Sequence, residues 1–505
     1  MLTGIVLLLV YLVLCGVVYF FTKKNHHKKA LAAILLLGLV LRVFMSADAY
    51  LHEWDERFHA LVAKNTMEHP LKPTLYDNPV LDYDYRDWST NHVWLSKPPL
   101  AFWAMGASMS IFGVNEFGLR LPSVLFSLIC VWLTVQIGTH LFNRKTGLIA
   151  GFFHAIHGLS LELTGGIISA DHVDVLFLMC FECGILFIIK FIKNENNKYL
   201  FIIGLCAGLA YLCKWIMAFF LLFIWIGIYF YSERNLRKLV IKTSLITLVF
   251  LAVILPWHIF IFYKYPNEAA WIFQQMFAPI RTASVTMGHG GGIGFYLIHL
   301  RIIFGELIYV PIIFLIFKCF NINGFSRNSK MQGILKMPCI LPFSKKRTYL
   351  WILFVWIFIP LILLTFSAMK KDSYLMMSAP AYFILTAFFI IYFCKIKNKL
   401  RVKSWMSYGF VLLLILLPIR YSIERIKPFK ERMKHPEWRV RLSELDREIG
   451  GTKKVILSGE PHCMNAMFYY DFVAHLRQLS AEEIEKVKEK GYRVFEYNDL
   501  QYFEK

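Results

Sequence analysis

The chain has 505 residues, of which 57% are hydrophobic, and its mean hydropathy is +0.52. A soluble protein of this length could not bury so much apolar surface, so the composition excludes a soluble globular protein and favours a chain with many membrane spans. The formal net charge of +21 does not indicate nucleic-acid binding, because the lysines and arginines cluster in short loops between apolar runs.

Long apolar runs predict about twelve membrane-spanning helices. The predicted spans lie at 2–21, 30–47, 119–141, 146–164, 172–193, 198–213, 215–231, 238–262, 293–317, 348–367, 375–394 and 404–421. No basic segment precedes the first run and no small-residue cleavage site follows it, so we expect a retained span with its N terminus outside the membrane. The two short runs that meet near Trp215 are expected to be joined by a tight turn. These features predict an all-α polytopic membrane protein.

Lysine and arginine residues predict how the spans are oriented. The basic loops lie at 22–29, 142–147, 190–198, 232–238, 318–347 and 395–403. With the N terminus outside, all of these loops fall on one side of the membrane, which the positive-inside rule identifies as cytoplasmic. The long loop 48–118 and the tail 422–505 then lie on the outer side. Because long loops between spans are often functional, we expect residues 1–421 to form a membrane domain whose functional loop is 48–118.

The tail 422–505 is predicted to form a small α/β domain outside the membrane. Its predicted elements are a strand at 454–458, a helical segment at 465–479, a helix at 481–490 and a strand at 492–495. Ser480 and Glu483 form a capping-box pattern at the start of the second helix, and Gly491 is placed to end it. No group of residues in this tail indicates catalysis.

Three groups of polar residues lie beside spans on the outer side, where charged side chains are costly and often functional. The first group, after the second span, is Glu53-Trp54-Asp55-Glu56-Arg57. In a helix, Asp55 and His59 would share one face, and a carboxylate there can activate a hydroxyl. The alternative is a solvated helix end with an ion pair between Glu53 and Arg57.

The second group is Ser96-Lys97-Pro98-Pro99-Leu100, and the third is Ser169-Ala170-Asp171-His172-Val173-Asp174. The two prolines are expected to set the start of a new helix, which would place Lys97 where it can meet a phosphate. Alternatively, this lysine extends to the lipid headgroups. The two carboxylates of the third group would either line a polar pocket or stabilise a helix N terminus.

The order of these groups resembles a known family. An Asp-Glu pair in the first outer loop is followed by Lys97-Pro98-Pro99-Leu100 and then by Phe112-Gly113-Val114-Asn115-Glu116-Phe117-Gly118-Leu119-Arg120-Leu121-Pro122-Ser123. Most of residues 48–390 thereby resembles the bacterial glycosyltransferases of the aminoarabinose transferase and dolichyl-phosphate-mannose-protein mannosyltransferase superfamily. The resemblance implies the GT-C fold, with interfacial helices in loop 48–118, and sugar transfer from a polyprenyl phosphate.

The resemblance also implies roles for individual residues. Asp55 corresponds to the catalytic carboxylate, which acts as general base on the acceptor hydroxyl or orients it. Asp171, with Asp174 as its competitor, corresponds to the acid of the second outer loop. The residues expected to bind the donor phosphate or sugar are Glu56, Arg57, Lys97, Arg281, His289, Lys371 and Tyr374. One base opposite several cationic phosphate contacts would suit a single inverting displacement.

The chain departs from the family pattern at two positions. Ser96 stands where the aminoarabinose branch often has a glutamate that helps to bind a metal with a later histidine, so a divalent metal at His289 is not supported. We therefore assign no metal ligand and no cofactor. Phe58 stands where a tyrosine is common. Two literal motif matches are rejected, since Asp82-Tyr83-Asp84 lacks a nucleotide-binding context and the glycine-rich segment 288–294 lacks the lysine of a P-loop.

The partners that the resemblance implies are a polyprenyl-phosphate-linked sugar, membrane lipid, and an acceptor that is lipid A, another glycolipid or glycan, or a protein. It implies no nucleic-acid partner. It places the protein in the bacterial inner membrane, with its active site on the periplasmic side. The alternative function is a transporter or flippase of lipid-linked sugars. Such proteins often have an inverted repeat and charges near the middle of the membrane, whereas this sequence shows no internal repeat and its charges cluster outside the spans.

Overall fold

The computed structural model describes residues 2–77, 79–87, 90–169, 171–281, 290–320, 345–396, 403–430, 436–451 and 454–505. The α-helices are α1 Leu2–Lys23, α2 His27–Met45, α3 Asp55–Asn65, α4 Leu100–Phe112, α5 Glu116–Leu141, α6 Arg144–Ile156, α7 Gly158–Gly165, α8 His172–Asn194, α9 Lys198–Lys214, α10 Phe219–Glu233, α11 Leu236–Lys264, α12 Pro266–Arg281, α13 Phe295–Phe304, α14 Tyr309–Phe320, α15 Lys345–Thr365, α16 Ala379–Ile396, α17 Ser404–Ile426, α18 Glu437–Glu448, α19 Cys463–Tyr470 and α20 Ala481–Glu489. The strands are β1 Val455–Ser458, β2 Val473–His475, β3 Arg493–Asn498 and β4 Gln501–Glu504.

Eight helical stretches among the described residues are long and apolar enough to cross a membrane, and the bent pair α13–α14 adds a ninth if it is one span. The prediction of an all-α polytopic membrane protein is confirmed. The lower count than predicted has identifiable causes. Helix α2 carries three cations, α6 and α7 are each too short, and α9 and α10 are joined into one apolar stretch, Lys198–Glu233.

The chain reverses direction between α9 and α10. Lys214, at the end of α9, pairs with Asp174 near the start of α8. Trp225 of α10 packs against Phe191 near the other end of α8, with ring centroids 5.4 Å apart. A short 3₁₀ helix, which begins at Trp215 with a φ of +38°, makes the reversal. The tight turn predicted here is confirmed.

Two predicted spans are bent or interrupted, which the apolar pattern did not indicate. The span predicted at 293–317 turns by 115° after α13. The turn lies at Gly305, whose φ of +95° is easily adopted only by glycine. The span predicted at 146–164 is interrupted at His157, whose imidazole accepts a hydrogen bond from the backbone N–H of Ser160 and so caps α7.

The C-terminal residues form the α/β unit that the sequence predicts. The strand order is β2-β1-β3-β4, with β1 parallel to β2 and β3, and β4 antiparallel to β3. Helix α20 begins at the predicted capping box of Ser480 and Glu483. The prediction of one helical segment over 465–479 is wrong beyond Tyr470. Asp471, with a φ of +57°, stops the helical hydrogen bonding there, and the chain enters β2.

This C-terminal unit packs directly on loop 48–118. Val80 and Leu81 of the loop lie in one buried apolar cluster with Ile456 and Val487 of the unit. The ammonium group of Lys490 also donates to the carbonyl of Val80, at 2.7 Å. The loop that carries the first polar group therefore lies between the membrane helices and the C-terminal sheet.

Candidate active site

Asp55 is the first residue of α3, and the chain reaches it through a strained residue. Trp54 has a φ of +71° and its side chain is exposed. A non-glycine residue in this region costs on the order of 1–3 kcal/mol and persists only where surrounding contacts impose it. Asp55 is half-buried and forms no ion pair with any residue that the structure describes. Its carboxylate is therefore available to a ligand.

The next residue, Glu56, is fully buried. The Arg120 guanidinium donates to its two carboxylate oxygens at 2.7 and 3.0 Å. The backbone N–H of His52 donates to one oxygen at 2.5 Å, and His172 Nε2 lies 3.0 Å from the other. Burial alone would raise the pKa of the Glu56 carboxyl, but Arg120 and His52 hold it well below its usual range. This ionic group fixes the start of α3.

Arg120 also holds the segment that leads into α3. Its two Nη atoms donate to the carbonyls of Ser46 at 3.1 Å, of Tyr50 at 2.6 Å, and of Asp48. The sequence placed Arg120 inside a family block but gave it no partner, because Glu56 lies 64 positions earlier in the chain. The position of an arginine one turn into an apolar span was the available signal.

This ionic group predicts a loss of stability in acid. The pKa of the Glu56 carboxyl is lowered, so its contribution is present above its ordinary pKa, about 4.5, and is lost as the pH falls below that value. Burial alone would lower the pKa of His52, but Glu56 and Asp48 raise it. The contribution of His52 to the free energy of unfolding is therefore lost as the pH rises above about 6.5. We expect the thermal unfolding midpoint in detergent to fall steeply between pH 5 and pH 3, as measured by intrinsic fluorescence. An unchanged midpoint over that range would contradict the assignment.

Asp171 is fully buried behind α3 and supports it. One oxygen accepts the N–H of Val173 at 3.1 Å and so caps α8, and the other lies 2.7 Å from His59 Nδ1. Burial alone would raise the pKa of the Asp171 carboxyl, but His59 lowers it below its usual value. The His59 ring itself packs against Trp94 and Phe102. Asp171 therefore faces protein, not an open site.

Asp174 lies three residues further along the chain, in the first turn of α8. It forms an ion pair with Lys214, and about a tenth of each side chain is exposed. The Lys214 ammonium also lies 5.1 Å from the ring centroid of Tyr374. The structure thereby adds Lys214, the last residue of α9, to the candidate site.

Three lysines converge beside these carboxylates. Lys371 donates to the carbonyl of Ser169 at 2.9 Å. Burial lowers the pKa of Lys371, and Lys97 and Lys214 lower it further, whereas Asp55 and Asp174 act against them. Lys97 and Lys214 disfavour the charged form of Lys371, so a bound anion with several oxygens, such as a phosphate, would stabilise the group.

Lys97 reaches this group from the start of α4, which begins at Leu100 directly after the two prolines, as predicted. The carbonyl of Ser96 accepts a hydrogen bond from Trp215 Nε1 at 3.3 Å. This bond ties the residue before Lys97 to the reversal that follows Lys214.

Other predicted site residues lie elsewhere. Arg57 is two residues beyond Asp55 and therefore on the opposite face of α3. It acts electrostatically on His462 and Cys463 of the C-terminal unit, so its position does not support a contact with the donor phosphate. Glu56 is too buried for such a contact. The Arg281 side chain and His289 lie outside the described residues.

Comparisons of sequence agree with the expected resemblance. A family model described as dolichyl-phosphate-mannose-protein mannosyltransferase matches residues 96–260. The undecaprenyl phosphate-alpha-4-amino-4-deoxy-L-arabinose arabinosyl transferase 1 of Pseudomonas fluorescens (strain Pf0-1) is 25% identical over 179 residues, which are 34% of this chain and 31% of that protein. The corresponding transferase of Pseudomonas aeruginosa (strain LESB58) is 24% identical over 180 residues, 34% of this chain and 32% of that one. The match thus spans about a third of the length of these relatives.

Solved structures match over nearly the whole chain. ArnT from Cupriavidus metallidurans in the apo state superposes with a TM-score of 0.61 at 13% identity, over 93% of both chains. The oligosaccharyltransferase AglB from Archaeoglobus fulgidus gives 0.60 at 12% identity, over 94% of this chain and 69% of that one. These likenesses show the fold, and the predicted GT-C fold and superfamily resemblance are confirmed.

Proposed function

We propose that this protein is an integral-membrane glycosyltransferase that moves a sugar from a polyprenyl-phosphate donor to a hydroxyl or phosphate group of an acceptor. The observation that carries this proposal is the group of lysines and carboxylates in which Lys214 pairs with Asp174, Lys371 donates to the carbonyl of Ser169, and both Lys97 and Asp55 act electrostatically on Lys371. The relatives support it, since the curated ones are named as undecaprenyl-phosphate-aminoarabinose transferases and ArnT has been solved bound to undecaprenyl phosphate.

The chemistry needs a base and an anion-binding group on opposite sides of the sugar. The acceptor oxygen attacks the anomeric carbon while the bond from that carbon to the phosphate oxygen breaks, which inverts the configuration. Asp55 takes the proton of the acceptor hydroxyl. The leaving phosphate gains negative charge, which Lys97 and Lys371 stabilise. Tyr374, beside Lys214, is placed to contact the same phosphate or the sugar.

Of the two acids in the second outer loop, we assign the ligand-facing role to Asp174. Its ion pair with Lys214 joins it to the lysine group. Asp171 is instead a support for α3 through His59. Asp174 would hold Lys214 in place and accept a hydrogen bond from a sugar hydroxyl.

We further propose that the active site faces the extracytoplasmic side of a bacterial inner membrane. The pattern of basic loops supports this orientation. The chain is a multi-pass membrane protein, and we divide it into a membrane domain, 1–421, and an extracytoplasmic domain, 422–505. The acceptor is a glycolipid, a glycan or a protein, since the lysine group recognises the donor and does not select among these.

The test is an assay of purified protein in detergent with a panel of radiolabelled polyprenyl-phosphate sugars and with extracts that contain glycolipid, glycan or protein acceptors. We expect free polyprenyl phosphate to be released as the label moves to one acceptor class. The competing function is a flippase. If no donor is consumed, but labelled lipid-linked sugar crosses the bilayer of proteoliposomes, the transferase proposal is wrong.

Lys97→Ala is expected to weaken binding of undecaprenyl phosphate by about 10- to 100-fold. The reason is that a hydrogen bond to a charged group contributes about 1.5–3 kcal/mol. Binding can be measured by microscale thermophoresis of the purified protein. Lys72→Ala is the matched control, since it removes a lysine from the same loop without touching the site, and it should bind as the unmodified protein does. Equal affinities for the two variants would remove Lys97 from the phosphate site.

A further inference from the structure

The connection between α2 and α3, residues 46–52, is held from two sides. On one side, Arg120 of α5 donates hydrogen bonds to three backbone carbonyls of this connection. From the other side, Arg439 Nη1 donates to the carbonyl of Ala49, and the N–H of Leu51 donates to the Tyr469 hydroxyl at 3.1 Å. Arg439 lies on α18 and Tyr469 on α19, so the second set of contacts comes entirely from the C-terminal unit.

These two side chains form a closed group with Glu116. Its Oε1 atom accepts from Arg439 at 2.9 Å and from the Tyr469 hydroxyl at 2.7 Å. The Arg439 guanidinium also lies 4.5 Å from the Tyr469 ring centroid. Glu116 is the first residue of α5. The helix that supplies the inner contacts to the connection therefore also anchors the outer ones.

A second anchor fixes the far end of α3 to the same unit. The Lys64 ammonium donates to the carbonyls of Met467 and Phe468 at 2.8 and 2.9 Å, and pairs with Asp471 at 2.5 Å. These acceptors are at the C-terminal end of α19, where a cation is favoured by the exposed carbonyls. Both ends of the helix that begins with Asp55 are thus tied to α19.

We infer that the C-terminal unit positions the catalytic carboxylate, with Arg439, Tyr469 and Lys64 as positioning residues that act on α3 through the backbone. This inference rests on the role proposed above for Asp55. None of the three is among the charged groups that act most strongly on Lys371. Their loss should therefore reduce the rate of transfer, because a misplaced base slows the reaction, while the affinity for the donor phosphate is retained.

The test compares Arg439→Gln with the unmodified full-length protein in two measurements. In the first, we expect kcat for sugar transfer to fall by about 10- to 100-fold, with the Kd for undecaprenyl phosphate within about threefold. In the second, hydrogen–deuterium exchange of residues 46–65 should become faster. Arg439→Lys keeps a single donor and should recover part of both. Tyr469→Phe removes only one hydroxyl and should also lower kcat and speed the exchange. It provides the test if Arg439→Gln folds poorly.

The matched control is Lys486→Ala, which removes an exposed ion pair with Asp82 at the same interface. It should leave kcat and the exchange of residues 46–65 unchanged. The inference is overturned if Arg439→Gln and Tyr469→Phe both keep the unmodified kcat and exchange rate, or if donor affinity falls as much as kcat does. If the unmodified protein transfers no lipid-linked sugar, the proposed function fails, whereas the exchange experiment still decides whether the C-terminal unit holds α3.

Discussion

Asp55→Asn is expected to reduce kcat for sugar transfer by about a thousandfold, with the Kd for undecaprenyl phosphate changed by less than about threefold. Asparagine keeps the size and the hydrogen-bonding shape of the side chain but cannot accept the proton of the acceptor hydroxyl. Because Asp55 is half-buried and forms no ion pair with a described residue, the variant should fold normally. Single-turnover measurements with saturating donor separate the transfer step from binding.

Glu53→Gln is the control for Asp55→Asn, since it removes an exposed carboxylate two residues earlier in the same segment. It should retain the unmodified kcat. If Asp55→Asn keeps a tenth or more of that rate, the base lies elsewhere, and Asp174 becomes the leading candidate. If both variants lose kcat, the reaction depends on the negative charge of the whole segment. Asp55 would then not be a specific proton acceptor.

Arg120→Met is expected to have the largest effect on stability, with a loss of about 3–5 kcal/mol in the free energy of unfolding. It leaves the buried Glu56 carboxylate without its main cation and frees the carbonyls between α2 and α3. We expect a lower yield of folded protein and a lower unfolding midpoint in detergent. Transfer activity should also fall, since the start of α3 is no longer fixed.

The double variant Arg120→Met with Glu56→Gln separates the cost of an unpaired charge from the loss of shape. Removing both charges should recover part of the stability, because no ion is then left buried without a partner. Arg420→Met is the control, since its exposed pair with Glu424 on α17 is screened by solvent, and its midpoint should not change. A midpoint for Arg120→Met equal to that of the control would show that the buried group is not needed.

The sequence predicted those features that depend on neighbouring residues. The helix start after Pro98-Pro99, the reversal at Trp215 and the capping box at Ser480 each follow from local backbone chemistry, and the structure has all three. The membrane helices were recognisable for the same reason, since an apolar run of sufficient length carries its own signal. The family resemblance assigned Asp55, Lys97 and Lys371 to one site, and in the structure both Asp55 and Lys97 act electrostatically on Lys371.

The sequence did not show which side chains contact each other when they lie far apart in the chain. The local sequence around Glu56 is equally compatible with a ligand contact and with a buried ion pair. Its partner, Arg120, is 64 positions away. Arg57 illustrates a related limit. The sequence indicates that it lies on the face of α3 opposite Asp55, but not that the C-terminal unit covers that face. The bend at Gly305 was not predicted because the segments on either side of it are together apolar enough to read as one span, even though Gly305 and Glu306 lie between them.

The contacts between α3 and the C-terminal unit have a consequence for biogenesis. Lys64 and Ala49 meet partners that lie 403 and 390 positions later in the chain. During synthesis, the last membrane helix must be inserted and the C-terminal unit must be made before these contacts can form. Contacts of such high sequence separation form late because a long loop must first be closed. A nascent chain would therefore hold α3 without these contacts until its C-terminal unit has folded.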